Sequence, residues 1–266
     1  MKIGIIGCTG RMGKSLIEEV QMNSESELAG GAVRSDSNFV GIDIGKIAGI
    51  DPVGINAVSS IDHLFDQSDA VIDFSNPELS LKCAAIAAKK NKIHVIGTTG
   101  FSQIDREKLA EYGKETVIIW SANMSIGVNI LSALTEQVAS ILGDEYDIEI
   151  VEMHHCRKVD APSGTALLLG ESAAKGRDVA LGDVACKSRD GIIGQRPSGE
   201  IGFSTIRGGD VVGEHTVMFA GDGERIELTH KASSRKIFSR GAVRAALWAK
   251  DKERGFFSMK DVLAGK

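Results

Sequence analysis

Two adjacent histidines, a lysine and a Pro-Ser-Gly-Thr turn stand together in the stretch Glu152-Met153-His154-His155-Cys156-Arg157-Lys158-Val159-Asp160-Ala161-Pro162-Ser163-Gly164-Thr165-Ala166. Histidine titrates near neutrality and lysine carries a transferable proton with its positive charge, so His154 and Lys158 suit proton donation to a substrate that gains electrons. Neighbouring histidines on extended backbone point to opposite sides, which disfavours chelation of one metal ion, and no metal site is expected. Ser163, Gly164 and Thr165 open a helix whose unpaired first-turn amides would hold a carboxylate. With Lys158 nearby, this is the chemistry of a pocket for a small, doubly negative acid. A single histidine is more often a satisfied structural group, and that plainer reading is kept for His63 and His94. His215 and His230 form a second polar context.

A different chemistry begins at the N-terminus. A short apolar run leads into Gly7-Cys8-Thr9-Gly10-Arg11-Met12-Gly13 and then a helical pattern, the strand, glycine turn and helix that a dinucleotide pyrophosphate requires. Glycines let the backbone approach the phosphates, and the helix N-terminus supplies positive potential. The spacing is G-x-x-G-x-x-G, not the commoner G-x-G-x-x-G, and a plain glycine-rich turn is the alternative. Arg11 could reach a phosphate oxygen or stay a solvated helix residue. About twenty residues further on, where NAD sites place an acid for the ribose, the chain has Arg34. A guanidinium suits the 2′-phosphate of NADP(H), with Asp36 close by as a competing acid. Gly97-Thr98-Thr99-Gly100 and Ser121-Ala122-Asn123-Met124 follow later apolar runs, at the edge where ligands of open α/β sheets sit. The first is a place for a flat nicotinamide or an ordinary strand-to-helix turn; the second is the expected crossing between domains. The cofactor expected is NADPH, NADH or both.

Composition narrows the class. A length of 266 residues fits one large or two modest domains, and 42% hydrophobic with 25% charged residues is not a disordered chain. The 31 glycines against four prolines point to tight turns, and no G-X-Y period exists to suggest collagen. Lys and Arg total 31 against 36 Asp and Glu, a net charge of −5, which argues against a nucleic-acid or acidic-membrane partner. Neither a cleavable leader nor a run of about 18 apolar residues is read, so the expectation is a cytoplasmic protein. Cys8, Cys83, Cys156 and Cys186 are widely separated without C-x-x-C spacing and are read as reduced and mostly structural.

The elements that must position these groups follow from periodicity. Strands are predicted at Lys2–Ile6, Leu28–Val33, Ala70–Phe74, Ile93–Ile96 and Val117–Trp120. Helices are predicted at Arg11–Met22, Pro77–Lys90 and Ile104–Tyr112, the last capped by Ser102 with Asp105. That alternation is a Rossmann-like, doubly wound parallel sheet. A buried helix at Ile126–Leu142 opens a second α+β domain containing a strand at Ile148–His154 and a helix at Gly164–Lys175. Strands at Ile201–Arg207, Val211–Phe219 and Arg225–Lys231 imply mainly antiparallel neighbours, and 176–199 reads as a long loop, mobile or shared with another subunit. Helix Arg235–Lys250 returns to the first domain.

Taken together, G-C-T-G-R-M-G at 7–13, G-T-T-G at 97–100, E-M-H-H-C-R-K-V-D-A-P-S-G-T-A at 152–166, I-R-G-G-D-V-V-G-E-H-T-V at 206–217 and T-H-K-A-S-S-R at 229–235 resemble the 4-hydroxy-tetrahydrodipicolinate (dihydrodipicolinate) reductase family of lysine and diaminopimelate biosynthesis. The resemblance implies a dinucleotide-binding domain at 1–125 plus 235–266, a substrate-binding and tetramerisation domain at 126–234, and a homotetramer. It implies catalytic roles for His154 and Lys158 and a dicarboxylate held by His155, Lys158, Ser163, Gly164 and Thr165. The cofactor would be held by Gly7, Cys8, Thr9, Gly10, Arg11, Met12, Gly13, Arg34, Gly97, Thr98, Thr99, Ser121, Ala122, Asn123 and Met124. Many members carry an acidic residue near position 34, and Arg34 is a departure that bears on dual use of NADH and NADPH. A dehydrogenase of another small amino or oxo acid, such as aspartate, explains the first half equally well but leaves the S-G-T site without a second carboxylate. A nucleotide-sensing regulator needs no proton donor.

Overall fold

Lys2–Ile6 forms strand β1, and the chain continues through α1 (Arg11–Met22), β2 (Glu27–Ala32), α2 (Ile44–Ala48), α3 (Ile61–Gln67), β3 (Ala70–Asp73), α4 (Pro77–Lys90), β4 (Ile93–Ile96), α5 (Gln103–Tyr112) and β5 (Val117–Trp120). Next come α6 (Ile126–Leu142), β6 (Asp147–His154), α7 (Gly164–Gly176), α8 (Leu181–Val184), β7 (Ala185–Cys186), β8 (Ile201–Arg207), β9 (Gly213–Gly221) and β10 (Glu224–Ala232). Helix α9 (Lys236–Trp248), β11 (Gly255–Phe257) and α10 (Met259–Ala264) end the chain. The computed structural model describes residues 1–265. It divides into two units, Met1–Ile126 with the stretch from Arg235 onward, and Gly127–Ser234.

The first unit is built on a parallel sheet of order β11-β5-β4-β3-β1-β2. Strand β1 lies between β2 and β3, so the strand order reverses there and opens a crevice at the carboxyl ends. Helices cover both faces, which is why β3 is buried at every position and reads as an uninterrupted apolar run closed by Asp73. Asn76 caps α4 ahead of Pro77, and the expected Ser102–Asp105 capping box closes the start of α5. Ala242, Val243, Ala245 and Ala246 of α9 enter the same core as Ile3, Ile5, Leu16 and Ile17, and Ser239 Oγ lies 2.9 Å from Ser15 Oγ of α1. Helices α2, α3 and α10 and strand β11 were not anticipated. Each is too short for a period to show; α2 is instead fixed by Asp43, whose carboxylate accepts the amides of Gly45, Lys46, Val53 and Gly54.

The second unit contains a sheet of order β10-β9-β6-β8-β7. The expectation of mainly antiparallel neighbours is corrected: β6 runs antiparallel to β9 but parallel to β8, and β8 is parallel to β7. The sequence order of β8 and β9 suggested a hairpin, whereas β6 lies between them. Its core joins Leu131 and Ala139 of α6, Leu169 and Ala173 of α7, and Ile148, Ile150, Val217 and Phe219 of the sheet. The segment 176–199 is not one open loop, since it includes α8 and β7. Beyond them, Arg189 pairs both Glu149 oxygens at 2.9 and 2.8 Å, and Arg196 reaches Glu149 at 3.0 Å and Asp147 at 2.6 Å, fastening the segment to β6. Ile126–Glu145, α6 with its following turn, is the one helix among the described residues long and apolar enough to cross a membrane, with mean hydropathy 1.3. It is not an unbroken apolar run, since Asn129, Thr135, Glu136 and Gln137 interrupt it. A core helix of a folded unit meets the same test, and here buried Ser132 joins Ser172 of α7 at 2.7 Å.

Candidate active site

Strand β6 alternates, with Ile148, Ile150, Glu152 and His154 on its buried side. His154 ends the strand, and the loop beyond it is fixed by backbone bonds, His155 N donating to Val211 O at 2.8 Å and Lys158 N to His155 O at 3.1 Å. The Lys158 ammonium lies 2.8 and 2.9 Å from the two Asp160 carboxylate oxygens. Ser163 caps α7, its Oγ accepting the Ala166 amide at 3.1 Å. That hydroxyl is also 3.0 Å from His215 Nε2, and Ser163 is buried. Gly164, by contrast, is exposed at the helix start and Thr165 is half-buried. The second unit therefore brings His154, His155, Lys158, Ser163, Gly164 and Thr165 into one region, with Ser163 turned inward.

Glu152, Arg207 and Asp160 were not singled out as partners of these groups, and His215 was read only as part of a second polar context. Glu152, 1% exposed, places Oε2 2.5 Å from His154 Nδ1, and its Oε1 accepts the Ser163 amide at 3.0 Å. Arg207 pairs Glu152 at 2.7 and 2.9 Å, and also donates to Asp160 O at 2.7 Å. His215 packs edge-to-face on His154, ring centroids 5.0 Å apart. Period-two spacing from His154 offered a signal for Glu152. Arg207 and His215 arrive through strand register, opposite His154 and Glu152 respectively, and Asp160 only through the loop's closure.

These contacts set the charges. Burial raises the Glu152 carboxyl, but Arg207, His154 and the Ser163 amide together hold it below the usual carboxylate range. Burial pulls His154 below an ordinary imidazole against the opposing pull of Glu152, with Lys158 and Arg207 adding to the fall. Burial, then His154, pulls His215 down to about 3. The result is neutral imidazoles beside a paired carboxylate and two cations.

In the first unit, the predicted nucleotide residues follow the carboxyl ends of β1, β2, β4 and β5. Gly7 and Cys8 amides donate to Ala32 O at 3.0 and 3.2 Å, so the turn is tied to β2. Gly10 starts α1 without a side-chain cap, leaving the Arg11, Met12 and Gly13 amides in the first turn, where no intrahelical acceptor exists. A Cβ on Gly13 would stand 2.3 Å from Gly7 O, so only glycine permits this cradle. Cys8 is buried, with its thiol pushed up to about 11 by burial, while Thr9 is half-buried and Arg11 exposed. A cavity of about 540 Å³ opens beside the turn, lined by Gly7, Val33, Arg34, Asp36, Ser59 and Leu79. Arg34 lies in it exposed, 3.6 Å from Asp36. Such a cradle and cavity fit the pyrophosphate and ribose of a dinucleotide.

At the second turn, Gly97 N donates to Asp73 O at 2.9 Å, and Thr98 is buried between Ser80 Oγ at 2.9 Å and Trp120 Nε1 at 3.0 Å. Thr99 is exposed. Ser121 Oγ donates to Asn123 O at 3.0 Å and Asn123 Oδ1 accepts the Ser125 amide at 2.8 Å, while Met124 enters the core and Ala122 is exposed.

The fold and these two sets of residues define a Rossmann-like nucleotide-binding enzyme carrying a separate α+β unit. Residues 1–124 match the model of the dihydrodipicolinate reductase N-terminus and residues 127–263 that of its C-terminus. The chain is 51% identical over 264 residues to the 4-hydroxy-tetrahydrodipicolinate reductase of Agrobacterium fabrum, covering 99% of this chain and 96% of that protein. It is 49% identical to the one from Brucella abortus strain 2308, covering 99% and 98%. Its fold is similar to the dipicolinate-bound dihydrodipicolinate reductase from Paenisporosarcina sp. TG-14, with TM-score 0.75, 22% identity and 97% of each chain covered. It is also similar to an amine dehydrogenase from Mycobacterium smegmatis, with TM-score 0.61, 11% identity and coverage of 97% and 94%. The chain belongs to the dihydrodipicolinate reductase family.

Proposed function

We infer that this chain reduces 4-hydroxy-tetrahydrodipicolinate, by way of dihydrodipicolinate, to tetrahydrodipicolinate with NAD(P)H, in the diaminopimelate route to lysine. The observation that carries the reading is the second unit's cluster: a carboxylate-held imidazole, a lysine and the start of α7, in a chain about half identical to reductases of that name along its whole length. The aspartate-type dehydrogenase and the regulator have no comparable support.

When bound, the cofactor supplies a hydride. The first unit's glycine turn holds its pyrophosphate, and the exposed Arg34 favours a 2′-phosphate, so NADPH is the preferred cofactor. After loss of the 4-hydroxyl, C4 of the conjugated imine accepts the hydride, and the enamine formed takes a proton from His154 or Lys158. The amides of Gly164 and Thr165 and the Lys158 ammonium hold the carboxylates, with His155 beside them, and Ser163 acts by capping the helix that presents those amides. As a biosynthetic user of NAD(P)H the enzyme works in the cytoplasm. The long, exposed edge strand β10 is a template for pairing, and it supports a homotetramer assembled through the second unit.

Following loss of NADPH absorbance with freshly generated substrate tests the reading. Turnover inhibited competitively by pyridine-2,6-dicarboxylate is expected. No turnover with either nicotinamide cofactor would remove it.

A further inference from the structure

Glu152 and His154 stand two apart on β6, so their side chains leave the same buried face. An ionised carboxylate only accepts hydrogen bonds, so the nitrogen 2.5 Å from Glu152 Oε2 must be the N–H, and that nitrogen is Nδ1. In a neutral imidazole the other nitrogen then holds the lone pair. The same carboxylate accepts the Ser163 amide just ahead of α7, and it pairs both Arg207 amino groups. Arg207 in turn donates to Asp160 O, on the loop that carries Lys158. A carboxylate present only to neutralise Arg207 would need neither the imidazole nor the amide.

Resting on the functional reading above, we propose that Glu152, clamped by Arg207, is a positioning residue: it sets the resting tautomer of His154, with Nδ1 protonated, so that Nε2 takes up a proton from solvent and the imidazolium so formed gives that proton to substrate. It also ties the anion-binding helix start and the Lys158 loop to one buried post. It touches neither substrate nor cofactor. Its effect on the reaction passes through His154, Ser163 and Arg207.

Ring ¹⁵N NMR of the folded protein, above the imidazole titration range, reads the tautomer directly. Wild type is expected to show His154 protonated on Nδ1; a wild-type ring protonated on Nε2 overturns the proposal without any variant. Glu152→Gln can turn either its oxygen or its amide nitrogen to the ring, so a mixed tautomer is expected, with kcat lowered by roughly 10²-fold and the Kd for NADPH unchanged. Because that substitution strands the Arg207 charge, the double variant Glu152→Gln with Arg207→Met repeats the test without it. Retention of the Nδ1–H tautomer and of wild-type kcat in the double variant would defeat the assignment. The NMR readout needs no turnover, so an inactive wild type with the expected tautomer would refute the functional reading and still support the role of Glu152.

Discussion

A Cβ added to Gly213 would lie 2.9 Å from His154 Nε2 and 3.3 Å from its Cδ2. Glu152 already occupies Nδ1, so Nε2 is the ring nitrogen left for chemistry, and Gly213 keeps the space beside it clear. Gly213→Ala is therefore expected to lower kcat by as much as about 10²-fold, the scale of a misplaced reacting group, with the Kd for NADPH unchanged. Steady-state kinetics with wild-type kcat in this variant would show that the imidazole swings free.

Removing the proposed proton donors one at a time should act mainly on kcat. His154→Ala and Lys158→Ala are each expected to lose roughly 10²–10⁴-fold, and full activity in both would dismiss them as catalytic groups. Asp160 holds the Lys158 ammonium at 2.8 and 2.9 Å, where it would compete with a substrate carboxylate. Asp160→Asn should thus tighten pyridine-2,6-dicarboxylate by up to about fivefold, the scale of one partly exposed ion pair. An inhibition constant that rises instead would mean that Asp160 is needed to aim the ammonium.

Cofactor choice should turn on Arg34, exposed in the cavity beside the glycine turn. A charge-assisted bond to a phosphate is worth about 1.5–3 kcal/mol, so Arg34→Ser is expected to raise KM for NADPH roughly 10- to 100-fold and leave that for NADH nearly unchanged. Equal losses with both cofactors would place Arg34 outside the recognition of the 2′-phosphate.

Acid should weaken the second unit. Burial, then His154, pulls His215 down to about 3, and burial also lowers His154 and His230. Unfolded, these rings take up protons near pH 6.5. The unfolded state consequently binds more protons as pH falls below about 6.5, so the stability is present above that value and is lost on the way down to about 3. Thermal unfolding is expected to show Tm falling from pH 7 to pH 4, with a shallower fall in His215→Phe. An identical slope in that variant would acquit His215.

Why some features were legible and others were not follows from the range of the interactions that make them. The glycine turn, the Ser102–Asp105 cap and the alternation of β6 are written in residues a few positions apart, and they formed as read. Glu152 shares that period with His154, but on local pattern it is one of three acids along the strand. Arg207 meets it across 55 positions, by a parallel register that nothing local announces. The mixed order of the second sheet was hidden for the same reason: β8 and β9 follow one another in the chain, yet each pairs with β6. Ser163 was read correctly as a helix opener, but only its contact with His215 shows that its hydroxyl turns inward.

The late arrival of α9 in the core of Ile3, Leu16 and Ile17 has a consequence for biosynthesis. A ribosome delivers β1 to β5 first, but that half lacks the apolar layer contributed by Ala242, Val243 and Ala246 until more than a hundred further residues, the whole of the second unit among them, have been made. Gly127–Ser234, a continuous stretch, has every strand of its sheet in hand earlier. The nascent polypeptide should therefore mature from its middle outward, reversing the usual N-terminal-first order, and a truncation just before Arg235 should leave the opening half protease-sensitive.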